Sequence, residues 1–190
     1  MPSPAVATVS IGNALRRFRR NRRGSVAVEF ALIAPIFFAL LFAIIETGMV
    51  FFAGQVLETG TQDSGRLLYT NQIQTSGLSA PQQQTQFFDD LCNRVKTLFN
   101  CIADPTSLVV DVRSYPPGTT INIASPIVAG SLTGPFVFQP PPLGSSNTVV
   151  IRVFYRWPLF VTGLGYNIAN LNGSQRLLAA TYAFHVEPPP

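Results

Sequence analysis

The 190 residues hold one histidine and two cysteines, and only 12% of them are charged. Each scarcity excludes chemistry. His185 has no second histidine with which to complete a metal site beside Cys92 and Cys101. It falls on the polar face of an expected strand, where a solvated ring is the simple reading. The phosphate-cradling pattern Gly-x4-Gly-Lys-Ser/Thr is absent, and no nucleophile elbow accompanies the histidine. The sequence therefore reads as a chain that is not an enzyme and uses no metal or other cofactor.

Acidic residues are also few. Nine of them face 13 basic residues, for a net charge of +4. That balance misleads, because Arg16, Arg17, Arg19, Arg20, Arg22 and Arg23 crowd into one short run. Without those six arginines, seven basic residues remain against nine acidic ones, a charge of about −2. One terminal cluster is not a nucleic-acid surface. Arginines flanking an apolar segment instead form a topology signal that holds the N-terminus in the cytoplasm.

What the chain does have is a long greasy run near its start. Val26 to Ile45 is twenty residues in which Glu29 is the one charge. A helix of about 20 residues crosses the ~30 Å hydrocarbon core. Apolar character continues through Met49-Val50-Phe51-Phe52-Ala53. A helix from Val26 to Ala53 would be ~42 Å long at ~1.5 Å per residue, so it leaves the bilayer and continues outward. The run is too long for a secretory signal peptide, and no small-x-small cleavage site follows it. Pro35 removes one backbone hydrogen bond and crowds the carbonyl of Ala31, which predicts a kink or local melting. Ala27, Ala31, Ala39 and Ala43 recur at a spacing that lets helices approach closely. Val56, Leu57, Gly60, Ser64, Leu67 and Leu68 then carry a partial stripe. The pattern predicts one helix from about Ser25 to Tyr69 with an amphipathic outer half.

The lone carboxylate asks for a reason, because burying it near hydrocarbon is costly. Gly24, five residues before Glu29, offers a protease a small residue at a defined place. Together they look like a class III signal, the type cut by a prepilin peptidase. The run from Arg22 to Leu68 resembles the TadE-like family, minor pseudopilins of tight-adherence (Flp) pilus systems. The matching residues are Gly24, Glu29-Phe30-Ala31, Pro35, Ile45-Glu46-x-Gly48, Phe52, Gln55, Leu57 and Gly65-Arg66. The resemblance covers about a quarter of the chain. It departs from the family pattern at Thr59-Gly60-Thr61 and Gly65-Arg66-Leu67. Ser25 also stands where many type IV pilins have phenylalanine.

The resemblance implies cleavage between Gly24 and Ser25, with Glu29 and Phe30 in the processing and assembly motif. Glu29 then pairs with the new amine of a neighbouring subunit, which offsets the cost of a buried charge. The implied partners are a prepilin peptidase, other pilin-like subunits and inner-membrane pilus assembly proteins. The implied location is the bacterial inner membrane, single-pass, with the C-terminal domain periplasmic. Glu46 and Gly48 read only as an interfacial carboxylate and a close-packing glycine. The competing function is an uncleaved membrane-anchored module whose outer domain binds an envelope component.

The expected organisation is a leader over 1–24, a span over 25–47, an outward extension over 48–70 and an α+β domain over 71–190. Asn71 to Ser79 reads as a polar linker. Ser79-Ala80-Pro81 opens a helix, and Phe87, Phe88, Leu91, Val95, Leu98 and Ile102 follow helical spacing. Cys92 and Cys101 cannot be bridged within one continuous helix, where ~1.5 Å per residue separates them by ~13 Å. The helix places Cys92 internally and Cys101 just past its end, the two forming a disulfide in an oxidising compartment or standing as buried thiols. Strands are expected over Leu108 to Tyr115, Thr148 to Trp157 and Leu177 to Glu187. Their period-two alternation favours antiparallel pairing with one buried face. Between the first two strands, 116–147 holds seven of the 16 prolines. It reads as an extended flap, with short strands available at Ile121 to Ile123 and Phe136 to Phe138. The fold class is α+β: a long N-terminal transmembrane helix extending outward, then a small antiparallel sheet domain with a packed helix.

Overall fold

The computed structural model describes residues 24–162 and 165–186. The arginine run ending at Arg23 and the terminal 187–190, including the expected strand end at Glu187, lie outside the described residues. The chain divides into two compact units, Met1–Phe42 and Ala43–Pro190.

The described part of the first unit is helical. It belongs to α1, Ser25–Tyr69, a single helix of 45 residues. The helix assignment continues through Pro35, so the expected local melting does not occur.

The second unit is α+β. Helix α1 ends at Tyr69, and turns through Ser76 lead to α2, Ala80–Val95. The connecting residues are not merely a polar linker, because Ile73 is fully buried in the core. Gln82 Oε1 accepts from the Ser79 N–H at 3.0 Å, which occupies a backbone donor that no helical carbonyl serves. A short 3-10 turn, Pro105–Ser107, precedes β1, Leu108–Tyr115. Two small strands follow, β2 (Ile127–Val128) and β3 (Ser131–Leu132). The long strands β4 (Thr148–Pro158) and β5 (Gln175–His185) complete the set. The main sheet has the order β1-β4-β5 and is antiparallel throughout. Its register pairs Val110 with Val153, and Val153 with Ala180.

Helix α2 stops at Val95, earlier than the expected end just before Cys101. The reason lies in what the next turn must bury. Phe99 turns inward, edge-on to Tyr155 at 4.6 Å and to Trp157 at 5.9 Å between ring centroids. Ile102, the expected next core position, is exposed instead. Cys101 then folds back onto α2 and is disulfide-bonded to Cys92, with 5.9 Å between their Cα atoms.

One face of the sheet packs on the helices through Val149, Ile151, Val153, Leu178 and Ala180. Two glycines of α1 set how closely. A Cβ on Gly65 would meet the Tyr182 ring at 2.5 Å, and one on Gly60 would meet Val95 at 2.6 Å. The helix backbone thus lies against the sheet at one glycine and against α2 at the other. Arg94 of α2 binds Asp90 at 2.8 Å and reaches Asp63 of α1 at 3.4 Å. Its guanidinium is held above its ordinary pKa, chiefly by the hydrogen bond to Asp90.

The opposite face differs from the expectation of a single buried face. From Val149 to Tyr155, β4 is buried on both sides. The proline-rich 116–147 covers that second face, placing Ile127, Leu132 and Phe136 over Phe154 and Leu177. Asp111 anchors the cover. It is fully buried and accepts from Arg152 Nη2 at 2.6 Å, Arg113 Nε at 3.1 Å and the Val137 N–H at 2.9 Å. Arg152 in turn donates to the Ala124 carbonyl at 3.1 Å, and Arg113 to that of Pro135 at 2.7 Å. Each charge in the cluster has a partner, as burial requires. Phe138 forms a parallel bridge with Val112 at the free edge of β1, whereas Ile121 to Ile123 form no strand.

Candidate functional site

The amino-terminal part of α1 presents its site residues in the open. Gly24 immediately precedes the helix, and a Cβ there would meet nothing within 4 Å. Ser25 begins the helix, and its hydroxyl donates to Glu29 Oε1 at 3.1 Å, one turn on. Phe30 follows and is exposed. Every large apolar residue from Val26 to Phe42 is likewise exposed. Among the described residues nothing buries these side chains, and a helix apolar on all faces is compatible with lipid around it. The helix is long and apolar enough to cross a membrane, and this suggests a membrane anchor.

Glu46 behaves differently from Glu29. It is 6% exposed and lies in the second unit. Its Oε1 accepts from the backbone N–H groups of Phe160 and Val161, the latter at 3.2 Å. One residue along, Thr47 Oγ1 shares a hydrogen bond of 2.7 Å with the Tyr166 hydroxyl. The sequence marks Glu46 as an interfacial carboxylate but says nothing of its partners, which lie 114 and 115 residues away. The available signal was the absence of a nearby cation: an acid at the end of a span needs donors, and backbone amides are the remaining supply. Among the described residues no atom lies within 4 Å of a Cβ placed on Gly48, so its expected close packing is not with them. Gly60 and Gly65 take that role.

His185 is exposed and approaches Thr148 Oγ1 at 3.4 Å through Nδ1. Among the described residues, no group of three or more His, Cys, Asp and Glu is placed to hold a metal ion.

The matching residues of the sequence and the exposed, apolar start of α1 bear directly on kinship. Residues 24–72 match the family model described as TadE-like protein. The match starts at Gly24 and ends three residues after α1. It takes in Glu29 and Glu46 and leaves α2 and the sheet outside. This TadE-like match supports a pilus-related, pseudopilin-like role and an association with a pilus assembly system. No curated protein and no solved structure matches the chain.

Proposed function

We propose that the chain is a TadE-like minor pseudopilin of a tight-adherence (Flp) pilus system. A prepilin peptidase cuts it between Gly24 and Ser25, and it acts in pilus assembly rather than as an enzyme. The observation that carries this reading is the TadE-like match, which opens at Gly24 and runs the length of α1. The local structure is compatible with the chemistry. Cleavage would leave Ser25 bearing a new amine, and Glu29 stands one turn away with its carboxylate exposed. In lipid, that carboxylate is costly unless a positive charge meets it. The new amine of a neighbouring subunit is the counter-charge in this proposal.

The same reading places the chain in the bacterial inner membrane with the arginine run cytoplasmic and the α+β domain periplasmic. A Cys92–Cys101 disulfide fits an oxidising compartment. The partners are the peptidase, pilin-like subunits and inner-membrane assembly proteins met through α1.

N-terminal sequencing of the membrane-extracted protein, from cells with and without the peptidase, tests the cut. A peptidase-dependent start at Ser25 supports the proposal. A start at Met1 or Pro2 in both strains sinks it and leaves an uncleaved anchor for a binding domain. Glu29→Ala tests the pairing separately: pilus output should fall to background while the α+β domain keeps its stability. Unchanged pilus output would remove the paired carboxylate from the mechanism.

A further inference from the structure

The residues around Glu46 carry an inference that does not depend on cleavage or pilus assembly. An apolar run opening at Val26 and ending at Ile45 has twenty residues. At ~1.5 Å per residue this matches the ~30 Å hydrocarbon core. Glu46 directly follows that run, so the reading that places the run in lipid puts Glu46 near the boundary between lipid and water. Its carboxylate does not turn toward water there. It is buried against the N–H groups of Phe160 and Val161, so the loop that follows β4 is fastened at the height of that boundary.

The loop is built for such a place. Leu159 and Val161 turn inward and are buried, while Phe160 between them is 81% exposed. A single exposed phenylalanine is ordinary on a protein surface. This one is held by the hydrogen bonds that Glu46 accepts from its own N–H and that of Val161, and Ile45 and Met49 on either side of Glu46 in the helix are exposed as well. Tyr166, half-exposed, adds an aromatic ring whose hydroxyl is tied to Thr47. Amphipathic aromatic rings concentrate at the headgroup level of bilayers. Between Arg156 and Arg176 the sequence contains no charged residue, so no ionic group there opposes contact with lipid.

We infer that Phe160, presented by the Glu46-clamped loop, inserts into the interface of the adjoining leaflet and gives the chain a second membrane contact besides its span. The occupant of this surface is the lipid bilayer. Continuity with the apolar span, the missing charge and the outward phenylalanine all point the same way. Glu46 is the positioning residue, because it sets the loop's height without touching lipid.

The test uses the full chain in phosphatidylcholine nanodiscs, one copy per disc, carrying Phe160→Trp. Trp157 of the unaltered chain supplies the baseline emission, so no core residue is changed. The added emission should be blue-shifted and should fall about twofold in discs made with lipid brominated near the headgroup end of its chains. Adding Glu46→Ala should restore most of that emission while far-ultraviolet circular dichroism still reports the folded domain. Added emission that ignores brominated lipid and yields to aqueous acrylamide overturns the proposal. Blue-shifted, lipid-quenched emission found only when several copies share a disc assigns the surface to subunit contact and also overturns it. Quenching that persists in the Glu46→Ala background removes Glu46 from the positioning role. None of these outcomes bears on where the N-terminus starts, so this inference and the pseudopilin proposal fail separately.

Discussion

Between Val26 and Phe42, α1 exposes every large apolar side chain it has. Between Ala53 and Leu68 it buries a stripe of Ala53, Leu57, Gly60, Thr61, Ser64, Gly65 and Leu68. The first stretch is the greasier one, yet none of the described residues buries it. The second is rich in small and weakly polar residues, yet it forms the floor of a core. Hydropathy thus identifies the solvent a helix meets, and residue size identifies the protein it meets. A helix in lipid gains nothing by confining its apolar residues to one side. A helix against a sheet needs one face of graded bulk, so that backbone and ring can close up at Gly65.

The sharpest way to break this contrast is to put bulk on the protein-covered stretch. Gly65→Leu drives new atoms into Tyr182 and Ile151 and should destabilise the α+β domain by about 3 kcal/mol. Urea titration of the detergent-solubilised chain reads it. A loss below half that value would mean the sheet slides away at little cost. Next comes the carboxylate at the junction of the two stretches. Glu46→Ala strips acceptors from the Phe160 and Val161 amides and should cost about 2 kcal/mol in the same titration. Ile36→Ala, on the exposed stretch, should move the domain's unfolding by less than about 0.5 kcal/mol. A larger shift would show that the apolar stretch supports the domain after all.

The smallest effect belongs to neither stretch. Asp104 is held below its ordinary pKa, first by the Thr106 hydroxyl and also by backbone amides and Arg156. A depressed carboxylate stabilises the fold above its unfolded pKa and loses that contribution as pH falls through the folded value. Stability should therefore decline slightly as the solution is acidified past the ordinary aspartate range. Asp104→Asn should flatten that slope, as acid titrations of the two proteins would show.

Much of this architecture was legible because its signals are local. The helix Ser25–Tyr69 and the strand Leu108–Tyr115 follow from periodicity within their own residues. Strand β5 was shifted by two residues, from the expected start at Leu177 to Gln175, because Pro158 pairs with Gln175 across the sheet. The buried role of Asp111 was not legible. In the sequence it alternates with apolar residues as a solvent-facing residue would, and its partner Arg152 lies 41 positions away. What the proline-rich flap covers was not legible either: the flap itself was expected, but Ile127, Leu132 and Phe136 meet Phe154 and Leu177, which lie far along the chain. In the candidate site, Gly24 and Glu29 stand out by spacing to one another. The loop at Phe160 stands out only once Glu46 is seen beside it.

The Cys92–Cys101 bridge has a consequence for the order in which the domain takes shape. Translation delivers both cysteines before Leu108, the first residue of the sheet. Their short loop closes at small entropic cost and asks nothing of residues not yet made. The sheet must wait far longer, because Leu108 pairs with Tyr155 and Thr148 with His185. Once closed, the bridge staples the end of α2 without Tyr155 and Trp157, the aromatic partners that Phe99 takes from β4. The bridge is thus a brace that the turn can acquire without any strand of the sheet.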